Sequence, residues 1–120
     1  LAALALAAAG GLVATGVAGA GGGASTKVKI KAPSGEVYGT VESSKPQKCA
    51  NGRKVTVYRQ KGGEQGGGDD IKVGSDTASA NNDEYQWNLG NPGLTGKKIY
   101  ARAGKKPGCK ADNSRTIVAG

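Results

Sequence analysis

Histidine is absent from the chain, as are phenylalanine and methionine, and tryptophan occurs once. Without an imidazole, Ser–His and Cys–His nucleophilic systems are excluded, together with zinc sites that use histidine. A serine nucleophile is left with lysine or a carboxylate as its base, and no recognised motif arranges either one. Only two cysteines occur, Cys49 and Cys109, with no C-x-x-C between them, so dithiol redox motifs are missing as well. Charge is absent from everything before Lys27. The catalytic classes are thereby thinned to almost nothing, and the expectation is a non-enzyme that needs no cofactor.

The uncharged start, LAALALAAAGGLVATGVAGA, reads as the hydrophobic region of a secretory signal, with Ala18-Gly19-Ala20 fitting an A-x-A cleavage site. The basic region that normally precedes such a segment is missing, so 1–23 is taken as a signal segment and small-residue linker truncated at its start. The rival reading is a membrane anchor, because the run is just long enough to span a bilayer. Its Ala/Gly content, and its ending in GGG rather than in basic residues, favour the signal. Residues 24–120 then form the mature domain, secreted or displayed at the cell surface, with no membrane contact after cleavage and a monomer by default.

What is present is basic: 17 Lys and Arg against 9 Asp and Glu, a net +8. A domain of this size buries a modest core, and small secreted domains commonly add disulfides to compensate. An oxidising compartment makes a Cys49–Cys109 bridge the natural fate of the pair. The competing reading is a reactive thiol, since Lys48, Arg53, Lys105, Lys106 and Lys110 are the kind of neighbours that stabilise a thiolate.

The mature part alternates in steps of two between clusters of Gly, Pro, Asn and Asp, which predicts an all-β fold. TKVKIKA sets Val28 and Ile30 against Lys27, Lys29 and Lys31; EVYGTVES sets Val37, Gly39 and Val41 against Tyr38 and Thr40. A tight turn at Ser34-Gly35 pairs Ile30 with Gly39 and Val28 with Val41, and brings Lys27 opposite Glu42. KVTVYRQ, IKVGSDT, EYQWNL, KKIYARA and RTIVA follow, with a flexible polar loop expected over Lys61–Asp70. That makes about seven strands of an antiparallel β-sandwich of immunoglobulin-like or transthyretin-like type. Trp87 alternates with Tyr85 and Leu89 on one face and is expected in the core; its rival role is a sugar-stacking platform.

The run of KCxxGRxVxVYR, a Gly-rich loop, IxVGSDT, an Asx-rich turn, a Trp strand, YAR, Cys109 and SRTI resembles small β-sandwich domains of secreted bacterial proteins. These are the transthyretin-like or carboxypeptidase-regulatory-like type, related in outline to the B-type repeats of collagen adhesins. The resemblance covers roughly residues 27–118. It implies the fold and an extracellular setting, and it brings no catalytic residues. This chain departs from it at SANNDE, a longer and more acidic turn than family members carry.

Two surfaces are candidates for binding. Lys27, Lys29, Lys31, Arg53, Lys97 and Arg102 make up a basic set suited to an anionic polymer such as cell-wall phosphate polymer, acidic glycan or extracellular DNA. Tyr38, Tyr58 and Tyr100, on the faces opposite the apolar ones, would add stacking platforms. Against that, lysines on strands often serve only as a solvated face that discourages edge pairing. Asp76, Asp83 and Glu84 supply the oxygen ligands calcium takes, although Asx clusters of this kind usually just make turns. No specific nucleic-acid motif occurs. The expected function is a non-catalytic structural or interaction module of the cell surface or extracellular matrix, with a binding module for anionic or carbohydrate polymers as the alternative.

Overall fold

The computed structural model describes residues 23–120, so the expected signal segment lies outside the described residues apart from its last residue, Gly23. Strands β1 (Thr26–Lys31) and β2 (Val37–Ser43) pair antiparallel with Val28 opposite Val41, Ile30 opposite Gly39 and Lys27 opposite Glu42. This is the register the apolar alternation predicts. The turn between them is a single 3₁₀ turn at Pro33–Gly35, in which Ser34 and Gly35 take left-handed backbone angles. Glu42 forms its ion pair diagonally, with Lys29 at 2.9 Å, rather than with the directly opposed Lys27.

A one-turn helix, α1 (Pro46–Cys49), leads into β3 (Lys54–Arg59) and β4 (Ile71–Thr77). Then come β5 (Ser79–Asn81), β6 (Glu84–Gly90), β7 (Lys98–Ala103), β8 (Asp112–Asn113) and β9 (Ile117–Val118). One sheet runs β1-β2-β6-β5; the other runs β4-β3-β7-β8, with β9 also on β7. The chain is an antiparallel β-sandwich with two more strands than the alternation predicts. The additions, β5 and β8, are three and two residues long.

The inner faces supply the core: Val28, Ile30, Val37, Val41 and Trp87 from one sheet, Val55, Val57, Ile99, Ala101 and Ala103 from the other. Trp87 is 1% exposed, which settles it as core rather than platform. Its room comes from Gly39, its cross-strand partner. A Cβ at Gly39 would lie 2.7 Å from Trp87 Cζ2 and overlap the Lys29 carbonyl, so only glycine fits. Between β8 and β9 the chain leaves the ladder, and Ser114 repairs it: its amide donates to Ala101 O at 2.7 Å, and its Oγ accepts from Ala101 N at 2.8 Å. The buried backbone thereby keeps its partners.

The Lys61–Asp70 loop is fastened rather than free. Gln65 donates to Ser114 O and Thr116 Oγ1 and accepts from Asn113, while Asp70 accepts from the amides of Lys61 and Gly66. Tyr100 donates its hydroxyl to Asp70 and stacks on Tyr58 at 5.5 Å. The outer face of this sheet is therefore partly roofed. Tyr100 is buried, and the expectation of an open Tyr58–Tyr100 platform is corrected.

Candidate functional site

Cys49 and Cys109 form a disulfide with Cα atoms 5.6 Å apart, and neither residue is exposed. The reactive-thiol reading falls with it, since a bonded sulfur is not a thiolate. Closing a loop of 60 residues stabilises the fold by about 4 kcal/mol on the chain-entropy estimate. The cysteines arrive there for local reasons. Pro46 opens α1, whose turn carries Lys48 and Cys49. Lys106-Pro107-Gly108-Cys109 makes a turn closed by Cys109 N to Lys106 O at 2.8 Å, with proline second and glycine third at φ +78.

Arg53 lies beneath this bridge, 3% exposed. Nη1 donates to Cys49 O at 2.8 Å and Thr26 Oγ1 at 3.3 Å; Nη2 donates to Gly104 O at 2.7 Å and Lys110 O at 2.9 Å. Burial pulls its pKa below the ordinary arginine value, yet the forked guanidinium stays charged and meets acceptors from four segments. The sequence reading placed Arg53 in a surface anionic patch. Alternation corrects this: Arg53 precedes the outward Lys54 and follows the turn, on the inward side shared with Val55.

The remaining members of that basic set are not brought together. Lys27, Lys29 and Lys31 stand on the outer face of the four-stranded sheet. Arg102 stands on the outer face of the other, bonded to Asn113 at 2.7 Å. Lys97 lies in the loop ahead of β7. What the disulfide does assemble is a different group: Lys45 and Lys48 from the α1 segment with Lys105, Lys106 and Lys110 from the turn. Lys106 Nζ donates to Lys48 O at 3.0 Å. The Lys48 side chain lies over Gly108, where a Cβ would come within 2.6 Å of its Cε. Among the described residues the one ion pair is Lys29–Glu42, so these five ammonium groups have no carboxylate within 4 Å. The signal was present as a lysine beside each cysteine, Lys48-Cys49 and Cys109-Lys110. Its meaning depended on the bridge.

The structure does not gather Asp76, Asp83 and Glu84 into a cation cage. Asp76 accepts the Asn88 amide at 2.7 Å, and Asp83 and Glu84 close the β5–β6 hairpin beyond Asn82, which is left-handed at φ 58. Among the described residues no three His, Cys, Asp or Glu stand together as metal ligands. Asp70 is remote from them, at the other end of β4, roughly 20 Å along the strand.

No family model, no curated protein and no solved structure matches this chain.

Proposed function

We propose that the chain is a non-catalytic structural or interaction module, exported and held at the cell surface or in the extracellular matrix. The observation that carries this reading is the buried Cys49–Cys109 bridge, because disulfides of this structural kind persist in oxidising compartments. The resemblance to transthyretin-like and carboxypeptidase-regulatory-like domains supports the same setting. Fractionation of producing cells tests it. The protein is expected in the wall or medium with its thiols blocked, and recovery as a reduced cytosolic protein would overturn the proposal.

The lysines gathered at the disulfide favour a second reading, a module for anionic polymers. Five unpaired ammonium groups on a rigid corner attract polyanions and release their counterions, so binding would weaken steeply with salt. Retention on immobilised wall phosphate polymer, acidic glycan and DNA is expected at low ionic strength and is expected to fall in Lys48→Gln/Lys106→Gln. If nothing is retained even at low salt, the polyanion reading is wrong while the first stands.

A further inference from the structure

On the outer face of the four-stranded sheet lies an open groove of about 670 Å³, within the size range of ligand pockets. Its floor is made of outward side chains from three adjacent strands: Lys29 and Lys31 on β1, Tyr38 and Thr40 on β2, Gln86 and Asn88 on β6. The one ion pair of the described residues lies here, and the disulfide corner has none. Lys29 pairs with Glu42 at 2.9 Å, and Asp76, at the rim, accepts the Asn88 amide. Glu42, Asp76 and Glu84 line the same groove as Lys29 and Lys31, so its lining is nearly charge-balanced in a protein of net charge +8.

The amides are also ordered. Asn81 Nδ2 donates to Gln86 Oε1 at 2.8 Å, and Gln86 Nε2 donates to Glu84 Oε1 at 3.0 Å. One N–H of Gln86 and the second oxygen of Glu84 therefore stay available in a fixed plane. Half-buried Tyr38 adds an aromatic ring. A ligand suited to this floor is uncharged, carries hydroxyls that both donate and accept, and has an apolar face to lay on a ring.

We infer that this groove binds a stretch of neutral polysaccharide. It is a site separate from the cationic corner, and it deepens the reading of the chain as an interaction module by naming a partner.

Affinity electrophoresis of the oxidised protein through gels containing soluble β-glucan, α-glucan or galactomannan tests it. At least one of these is expected to retard the protein, and the retardation should survive salt that abolishes polyanion binding. Tyr38→Ala and Gln86→Ala are expected to weaken it by about tenfold or more while Lys48→Gln/Lys106→Gln leaves it unchanged. Amide shifts recorded on the wild-type protein during titration should move along β2 and β6, a readout that does not depend on either variant folding. No retardation by any of the three polysaccharides overturns the inference, as do retardation that salt removes and shifts centred on the disulfide corner. Those last two outcomes would leave the polyanion reading in place.

Discussion

Arg53 donates to the carbonyl oxygen of Cys49 at 2.8 Å and, through its other terminal nitrogen, to that of Lys110 at 2.9 Å. One guanidinium thus holds the main chain on both sides of the disulfide. Arg53→Ala would leave several buried carbonyls without donors, and a loss of about 3 kcal/mol or more is expected in urea unfolding of the oxidised protein. Arg53→Lys is expected to recover little of it, because a single ammonium cannot reproduce the fork. A lysine variant as stable as wild type would show that charge alone suffices.

Native protein is expected to contain no titratable thiol. Reduction should lower the melting temperature, with a stability loss of about 4 kcal/mol from loop entropy alone. Unchanged melting after verified reduction would mean that Arg53 and the surrounding turns hold this corner without the bond.

Trp87 fluorescence should be blue-shifted in the native protein and shift to the red on unfolding. Trp87→Ala is expected to cost about 3–5 kcal/mol. Gly39→Ala, a single added methyl, should also be severely destabilising, because the added carbon meets both the Trp87 ring and the Lys29 carbonyl. A mild effect at Gly39 would contradict the tight β2–β6 contact.

The Tyr100–Asp70 latch has a pH signature. Burial, then the hydrogen bond to Asp70, pushes Tyr100 up to about 12. Tyr100's hydroxyl, then the Gly66 amide, holds Asp70 below the usual carboxylate range. For the tyrosine the folded state binds its proton more tightly, so its contribution is complete below about pH 10 and is lost as pH rises towards 12. For Asp70 the sign is opposite: its contribution is present above the ordinary carboxylate pKa and is lost as pH falls through the lowered folded value. Spectrophotometric titration should find one tyrosine ionising late, and Tyr100→Phe should remove both that step and the alkaline slope. Four tyrosines titrating together near 10 would refute the latch.

Much of the fold was legible because the β1 and β2 segments each have one buried face, and a one-residue slip would expose it. Trp87 was legible from the same alternation, and the disulfide from there being only two cysteines behind an apparent export signal. β5 and β8 were not: Ser79–Asn81 and Asp112–Asn113 are polar and very short, and they are strands only because β6 and β7 offer partners. Arg53 misled because arginine is normally a surface residue, and its acceptors come from residues as distant as Lys110. Tyr100 misled because alternation gives the face of a sheet but not what folds over it. Most lysines of the cationic corner were legible as neighbours of the two cysteines, but there they read as support for a thiolate rather than as a surface of their own.

The bridge also determines how the domain would respond to being pulled. Tension applied through the chain on either side passes from Cys49 directly to Cys109, and the 60-residue separation between them is bypassed. In single-molecule stretching, the oxidised domain should lengthen by roughly 200 Å less than the reduced one when it gives way, at about 3.3–3.6 Å per extended residue. β3 to β7 would then stay within a closed loop, so a pull along the chain would extend only β1, β2, β8 and β9.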